Sequence, residues 1–365
     1  MKKIEINIPG KEYPVYIGVN TFDSLDKIIR SKKLYRNLFI VADRNVLNLH
    51  REDLNRFTSN FSGKVFVHEI DASESDKSIV SLTRIFDDLI GKEFGKDTLV
   101  IAIGGGITGD IAGFSAATFM RGVKFVQVAT TLLAAIDSSV GGKTGVNFND
   151  TKNVIGAFHQ PEFVLIDTEF LKTLPEEEII CGIGEAIKYA FLTEQKFFIM
   201  LKNNLSKLLK LDSSFTSKIV ESCISFKGEV VAEDEKESGL RKILNFGHTF
   251  AHAIEIEQKH KIKHGQAVTI GLVCALDLSR RIGLLEERLF LEYIKLPLLL
   301  KEKIVLKGFD AAKVYEIMKR DKKGRDHKIK FVLLQDIGDL AVDVEVGKDE
   351  VIQSIQQGMN YFIYS

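Results

Sequence analysis

The sequence predicts an α/β N-terminal domain with a parallel, Rossmann-like sheet, followed by a mostly α-helical C-terminal domain. Three observations lead to this fold class. The length of 365 residues suggests about two domains. Up to about residue 175, short apolar runs alternate with stretches of helical periodicity, which is typical of a parallel sheet covered on both faces. Beyond Leu174 the strand signal fades, and helical patterns run through 176–281 and 309–320. The predicted domains are residues 1–175 and 176–365.

The individual elements follow from the same patterns. The predicted parallel strands are NLFIVAD (37–43), KVFVHEI (64–70), DTLVIAIG (97–104), KFVQVAT (124–130) and EFVLID (162–167). The opening runs IEINIP and YPVYIG predict an antiparallel hairpin at one edge of the sheet. Pro175 and the three glutamates after it predict the start of a helix, where proline and acidic side chains are favoured. The run IKFVLLQDIG (329–338) predicts a late strand or hairpin.

Charge and cysteine content exclude several classes of protein. Fifty Lys and Arg balance fifty Asp and Glu, whereas a nucleic-acid-binding surface needs an excess of basic residues. The first residues lack the apolar core of a signal peptide, and no apolar run is long enough for a membrane span. The three cysteines are far apart and predict neither a disulfide framework nor a zinc site made of cysteines. We expect a cytoplasmic protein with no nucleic-acid or membrane partner.

A glycine-rich turn follows the third predicted strand and opens a helix. Its sequence GGGITGD (104–110) fits the G-x-G-x-x-G pattern, in which glycines let backbone N–H groups approach a phosphate. The acidic residue expected about 20 positions later is missing, since Thr130 and Thr131 stand there, and the ordinary dinucleotide fingerprint is not satisfied. Asp43, at the tip of an earlier strand, could hold a ribose instead. The alternative is a tight strand–helix turn that binds nothing.

A second stretch suits a phosphorylated ligand. DSSVGGKTG (137–145) is followed by Lys152 and Asn153, which places lysines, an amide and small residues close together. GGKTG resembles part of a P-loop, but the earlier glycine of that motif would fall at Asp137 or Ser138, so a P-loop is excluded. A surface loop with incidental lysines is the alternative.

Histidines and cations cluster in the helical half. His248, His252, His260 and His264 lie within 17 residues, and the first two are one helical turn apart. With Glu185 on an earlier helix, two imidazoles would make a ligand set typical of a catalytic zinc or similar divalent site. Spacing alone does not tell which histidines bind. The same half carries further cations and amides that only a substrate with several negative charges would unite: Lys188, Lys227, Arg241, Asn245 and Lys322.

These stretches together resemble the 3-dehydroquinate synthase family of the shikimate pathway. The matching runs are 103–122, 129–148, KNVIGAFHQP (152–161), GIGEAIKYA (182–190), 233–255, HGQAV (264–268) and DKKG (321–324). The resemblance implies a homodimer with an N-terminal NAD-binding domain and a helical metal- and substrate-binding domain. It also implies two cofactors, NAD and one divalent metal, zinc or cobalt.

The resemblance carries over position by position. It implies the metal ligands Glu185, His248 and His264, with His252 as a substrate contact. The implied NAD contacts are Asp43, Asn45, Glu74, Lys77, Gly105, Gly106, Gly109, Asp110, Thr130, Thr131, Lys143, Lys152, Phe170 and Thr173. The implied substrate contacts are Asp137, Lys143, Asn153, Lys188, Lys227, Arg241, Asn245, His252 and Lys322, and Arg121 is expected to reach a neighbouring subunit's site.

The implied reaction converts 3-deoxy-D-arabino-heptulosonate 7-phosphate to 3-dehydroquinate and phosphate. Another sugar-phosphate cyclase and a metal-dependent NAD polyol dehydrogenase are the alternatives. Five positions depart from the family pattern: Ala129, Ala135, Thr151, Ala251 and Gln266. Gln266 replaces a glutamate near the implied metal, and the loss of that carboxylate is expected to weaken metal binding.

Overall fold

The computed structural model describes residues 1–34, 37–149, 151–321 and 328–363. They form two compact units. The first unit contains Met1–Leu174 and Ser213–Glu235, and the second contains Pro175–Asp212 and Lys236–Ser365. In the described residues no helix combines the length and the apolar character that crossing a membrane requires.

The first unit is built on a seven-stranded sheet and a separate hairpin. Its strands are β1 (Lys2–Ile8), β2 (Lys11–Gly18), β3 (Asn37–Asp43), β4 (Lys64–Ile70), β5 (Thr98–Gly104), β6 (Lys124–Ala129), β7 (Lys143–Phe148), β8 (Thr151–Phe158) and β9 (Val164–Asp167). The order in the large sheet is β1-β2-β9-β6-β5-β3-β4, and β7 pairs only with β8. Every pair in the large sheet is parallel except β1 with β2.

Alternate residues of the central strands enter two different cores. Leu38, Ile40 and Ala42 of β3 face one apolar cluster, whereas Phe39 and Val41 face the other. All five of these side chains are fully buried, so both faces of the sheet are covered. Burying a leucine, isoleucine, valine or phenylalanine side chain stabilises the fold by roughly 1.5–3 kcal/mol, which explains why these strands are apolar throughout.

Helices connect and cover the strands of the first unit. They are α1 (Leu25–Ser31), α2 (Arg44–Leu49), α3 (Arg51–Ser59), α4 (Ile79–Gly91) and α5 (Gly106–Thr118). The chain passes from β3 outward to β4, and from β5 in the opposite direction to β6. The carboxyl ends of β3 and β5 therefore lie at a topological switch point, where open α/β sheets bind ligands.

The second unit is mainly helical. It contains α6 (Glu176–Leu192) and α7 (Gln195–Leu209), and the chain then returns to the first unit as α8 (Ser213–Glu233). The later elements are α9 (His248–Glu257), α10 (His264–Arg281), α11 (Glu287–Tyr293), α12 (Lys295–Leu298), α13 (Ala311–Asp321), the antiparallel strands β10 (Lys330–Asp336) and β11 (Asp339–Glu345), and α14 (Lys348–Asn360).

The predicted fold class is confirmed, as are the five parallel strands, the edge hairpin and the late hairpin. Two features differ from expectation. The stretch 137–145 with Lys152 and Asn153, interpreted as suited to a phosphorylated ligand, is not a single loop, because Lys143–Phe148 and Thr151–Phe158 pair as the β7–β8 hairpin. The predicted boundary places α8 in the second domain, whereas this helix packs on β1 in the first unit. Gly228 permits the contact, because a Cβ there would lie 2.5 Å from Ile6 Cδ1.

Candidate functional sites

Three side chains of the second unit form a compact set of metal donors. Glu185 lies on α6, His248 is the first residue of α9, and His264 is the first residue of α10. The Nε2 atoms of both histidines lie 3.3 Å from Glu185 Oε1. A tetrahedral metal with bonds of about 2.0 Å holds its ligand atoms about 3.3 Å apart. The set therefore fits such a metal and leaves coordination positions open.

The buried carboxylate of Glu185 supports this fit. Its side chain is fully buried, and within the described residues neither oxygen makes a hydrogen bond of acceptable geometry. The ammonium of Lys188, itself 1% exposed, lies 2.6 Å from Oε2. Burial acts to raise the pKa of Glu185, but Lys188 and His248 outweigh it and hold the pKa well below its usual value. The carboxylate is thus ionised and ready to ligate.

The pKa values of His248 and His264 are shifted in opposite directions. Burial lowers the pKa of His248, which keeps its imidazole neutral. Burial acts in the same sense on His264, but the neighbouring carboxylates of Glu185 and Glu255 outweigh it and raise the pKa to about 10. A metal that binds His264 would displace a proton, as metal ligation by histidine requires.

Each of the three donors stands next to a glycine at a close backbone contact. A Cβ on Gly184 would lie 2.0 Å from Gly265 O, and one on Gly265 would lie 1.8 Å from Cys181 O. A Cβ on Gly271 would lie 2.3 Å from the carbonyl oxygen of Gly247, whose φ is +79°. Backbone therefore touches backbone where α10 crosses α6 and the start of α9. These crossings bring Glu185, His248 and His264 together.

The other two clustered histidines lie elsewhere. His252 is exposed on α9, and its donor atoms group with Glu255 and His264 rather than with Glu185. His260 is in neither group of donors among the described residues. Helical spacing made His248 and His252 equivalent candidates, but the structure groups only His248 with Glu185.

In the first unit the glycine-rich turn lies at the switch point of the sheet. Gly105 precedes the 13-residue helix α5, and Gly106 is its first residue. A Cβ on Gly105 would lie 2.9 Å from Thr131 Cγ2, and one on Gly106 would lie 2.9 Å from Ser138 Oγ. Asp43 ends the neighbouring strand, where its Oδ1 accepts the N–H of Asn45 at 2.8 Å. Backbone N–H groups in the first turn of α5, together with the Asp43 carboxylate at the end of the adjacent strand, form an arrangement that suits a dinucleotide.

Lys77 joins this turn to the β7–β8 hairpin. Its Nζ donates to the Asp110 carboxylate and to Asn153 Oδ1, and its side chain is buried. Burial raises the pKa of Asp110 above its usual value, although Lys77 opposes the shift. Asn153 holds φ at +53°, a backbone conformation that asparagine tolerates better than most residues.

Asn147 extends the same polar cluster. Its Nδ2 donates to Glu74 Oε1 at 2.8 Å, and its Oδ1 accepts the N–H of Asn153 at 2.9 Å. Lys152 Nζ lies 3.9 Å from Glu74 Oε1. The structure therefore unites four predicted NAD contacts, Glu74, Lys77, Asp110 and Lys152, with the predicted substrate contact Asn153.

The remaining predicted residues divide between the units. In the first unit, Lys227 Nζ lies 2.8 Å from both Asp137 Oδ1 and the Asp137 carbonyl oxygen. In the second, Arg241 is buried, and Asn245 Nδ2 donates to Glu237 Oε1.

Five more predicted residues occupy the first unit. Lys143 and Arg121 are exposed, and Thr130 N–H donates to Gly104 O at 3.0 Å. Thr173 Oγ1 lies 2.9 Å from His50 Nε2, and the Phe170 ring packs against His50. Lys322 lies outside the described residues.

The family models match most of the chain. The model for the N-terminal part of 3-dehydroquinate synthase matches residues 67–181, and the model for its C-terminal part matches residues 182–324. A 3-dehydroquinate synthase from Thermoanaerobacter pseudethanolicus is 39% identical over 357 residues, covering 98% of this chain and 100% of the relative. One from Ruminiclostridium cellulolyticum is 38% identical, covering 92% of this chain and 93% of the relative.

The chain belongs to the 3-dehydroquinate synthase family. Solved structures share its fold. A 2-deoxy-scyllo-inosose synthase complexed with carbaglucose-6-phosphate, NAD+ and Co2+ has a TM-score of 0.90 at 24% identity, covering 98% of this chain and 100% of that one. A 2-epi-5-epi-valiolone synthase from Streptomyces hygroscopicus with NAD+ and Zn2+ bound has a TM-score of 0.85 at 25% identity, covering 95% and 97%.

Sequence reasoning missed several polar residues at these sites of the 3-dehydroquinate synthase fold. Asn147 holds the hairpin to Glu74, Glu237 accepts from Asn245, and Glu255 lies against His264. Glu255 had a usable signal, since it lies seven residues after His248 and so on the same face of a helix. Asn147 and Glu237 had no such signal. The β7–β8 hairpin positions Asn147 against its partners, and an irregular loop positions Glu237 against Asn245.

Proposed function

We propose that this chain is a carbon–oxygen lyase that converts 3-deoxy-D-arabino-heptulosonate 7-phosphate to 3-dehydroquinate and phosphate. The observation that carries the proposal is the Glu185, His248 and His264 donor set at tetrahedral spacing, in a chain 38–39% identical to curated 3-dehydroquinate synthases. The overall reaction is redox neutral, because the carbonyl formed at C5 of the substrate is reduced again after phosphate leaves.

The proposed cofactors are NAD and one divalent metal, zinc or cobalt. Support comes from the related cyclases whose solved structures contain NAD+ with Co2+ or Zn2+. Bound metal would polarise the substrate hydroxyl that is oxidised, and NAD would accept and return one hydride. Glu185, His248 and His264 would hold the metal. The glycine turn, with Asp43, Lys77 and Asp110, would hold NAD.

The basic residues would bind the two charged ends of the substrate. Lys227 and Arg241 would hold the carboxylate, since a guanidinium forms paired hydrogen bonds with it. The phosphate would be held by Lys143, Asn153, Asn245, His252 and Lys322. Both Lys227 and Arg241 are buried, where dissolved salt screens charges less than at the surface, so they would still attract the substrate carboxylate at physiological ionic strength.

The elimination step needs a proton acceptor and a leaving group. The C5 carbonyl makes the C6 proton acidic, and loss of this proton breaks the C7–O bond to phosphate. We assign the proton to the departing phosphate itself rather than to a protein base. Ring opening and intramolecular aldol addition then close the carbocycle without a further change in oxidation state.

We also propose that the chain forms a homodimer in which Arg121 reaches the neighbouring subunit's site. Three large apolar side chains are exposed on the β7–β8 hairpin, Phe148, Val154 and Phe158, and exposed apolar groups are typical of protein interfaces. Light scattering coupled to size exclusion should give twice the chain mass of 40.9 kDa. A monomer at assay concentration would exclude this arrangement.

The function is tested by an assay with the heptulosonate phosphate, NAD and zinc in which phosphate, 3-dehydroquinate and NADH are followed together. We expect equal amounts of phosphate and dehydroquinate without accumulation of NADH. Accumulating NADH would indicate a dehydrogenase. Absence of turnover, with metal and NAD bound, would indicate a different sugar phosphate as substrate.

A pair of adjacent substitutions tests the substrate contacts. Arg241→Ala should abolish most turnover while metal stays bound, since Arg241 is not among the metal donors. Lys242→Ala is the control, because the Nζ of this neighbouring lysine lies 2.6 Å from Asp343 Oδ2 and Lys242 has no proposed role in the site. Normal turnover by the Arg241 variant would exclude the proposed carboxylate contact.

A further inference from the structure

A buried carboxylate lies behind one of the proposed metal ligands. Glu255, on α9, is 3% exposed, and its Oε1 lies 3.5 Å from His264 Nδ1. The other nitrogen of the same ring, Nε2, lies 3.3 Å from Glu185 Oε1. The imidazole of His264 is therefore held between two carboxylates, one on each ring nitrogen.

We infer that Glu255 is a positioning residue for the metal site: its carboxylate accepts the Nδ1 hydrogen of His264 and so directs the Nε2 lone pair towards Glu185. A neutral imidazole carries one hydrogen, and the acceptor at one nitrogen determines which nitrogen is free to ligate. The inference rests on the proposed function in one respect, that Glu185, His248 and His264 hold a metal.

His248 supports this assignment by comparison. Its Nδ1 lies 3.3 Å from the carbonyl oxygen of Phe246, and its Nε2 faces Glu185. Both histidines thus present the same nitrogen to Glu185. For His248 the acceptor is backbone, which any sequence supplies, whereas for His264 it is a side chain and depends on residue 255.

Gln266, expected from the sequence to weaken the site, has another role. Its Oε1 accepts the backbone N–H of Lys263 at 2.8 Å, which caps the first turn of α10. A glutamine supplies this acceptor as well as a glutamate does. Glu255, rather than residue 266, is the carboxylate that faces His264 Nδ1.

The second donor group, His252, Glu255 and His264, raises the alternative that Glu255 binds an ion of its own. That arrangement would require His264 to ligate through both nitrogens as an imidazolate, because Nε2 already belongs to the first set. A neutral ring with its hydrogen on Nδ1 needs no such deprotonation. We therefore assign one metal per chain.

The test is metal binding by the full chain, stripped with a chelator, without NAD or substrate. Zinc affinity is measured by chelator competition for wild type, Glu255→Gln and Glu257→Gln. We expect about a 10–100-fold loss for Glu255→Gln, as is typical when the partner of a metal-bound histidine is changed. Glu257→Gln, the same substitution two residues later, should match wild type. Equal affinity of all three proteins would overturn the inference.

Two measurements do not depend on the variant's folding. Long-range 15N–1H spectra of the wild-type histidines with zinc should place the hydrogen of His264 on Nδ1, and metal on Nδ1 would refute the inference. Stoichiometry should be one zinc per chain, whereas a second zinc held by Glu255 would also refute it. Wild-type protein that binds zinc normally but makes no dehydroquinate would contradict the proposed function alone.

Discussion

Two histidines one turn apart on α9 have different surroundings and different expected roles. His248 lies against Glu185, whereas His252 is exposed. We expect His248→Ala to reduce zinc affinity by more than the roughly 10–100-fold typical of a change behind a ligand. His252→Ala should leave zinc affinity near that of wild type while reducing turnover. Chelator competition on both variants decides this, and similar losses in the two would contradict the assignment of ligands.

His159 links the stability of the first unit to pH. Its Nε2 lies 2.9 Å from the Val123 carbonyl oxygen, and burial lowers its pKa below the ordinary 6.5. The unfolded chain therefore binds more protons than the folded chain below pH 6.5, and stability falls as pH drops from there through the lowered folded pKa.

The substitution His159→Gln keeps an N–H donor and removes this titration. We expect the free energy of unfolding of wild type to fall more steeply than that of the variant between about pH 6.5 and 5. Denaturant titrations at several pH values measure the difference. Parallel pH dependences of the two proteins would show that His159 contributes nothing.

At the scale of elements, glycine determines how closely the helices carrying the donors approach. Gly265→Ala would put a methyl group 1.8 Å from Cys181 O, so α6 and α10 must separate. We expect a loss of about 1–3 kcal/mol of stability, as for other overpacked cores, together with weaker zinc binding.

Gly91→Ala is the matched control for this crossing. Gly91 ends α4 and has open space around its Cα, so alanine there should be neutral or stabilising by up to about 1 kcal/mol. Thermal unfolding and chelator competition on both variants make the comparison. Normal zinc affinity in Gly265→Ala would show that the crossing does not set the donor spacing.

How far each element could be predicted depended on its burial. The parallel strands were recognisable because both their faces are covered, which makes them apolar throughout. The β7–β8 hairpin was missed because β8 is largely exposed and polar residues interrupt its pattern. The periodicity of α8 predicted a helix but not the unit against which it packs, since an apolar helix face can pack against many different partners.

Across the two units, the three cysteines are natural probes of local opening, because each unit contains at least one of them. Cys223 lies in the first unit, and Cys181 and Cys274 lie in the second. All three are buried, and burial raises the pKa of Cys181 to about 12. Since the thiolate is the reactive form, the folded chain should react slowly with thiol reagents.

Titration with a chromogenic disulfide should detect no fast thiol in the folded chain and three after denaturation. Intermediate denaturant concentrations would reveal whether one thiol or two react first, and hence which unit opens at lower cost. A thiol in the folded chain that reacts as fast as a free cysteine would contradict the burial found here.

Local sequence patterns were enough to predict the parallel sheet, the helical second half, the glycine turn and the family, because burial periodicity and contiguous motifs are local properties of the chain. Only the folded chain shows that His248 and His264 face Glu185, that Glu255 lies behind His264, and that α8 packs on β1. Those facts depend on where backbone can touch backbone. Contacts such as Gly184 with Gly265 join residues far apart in the chain, and no local pattern records their partners.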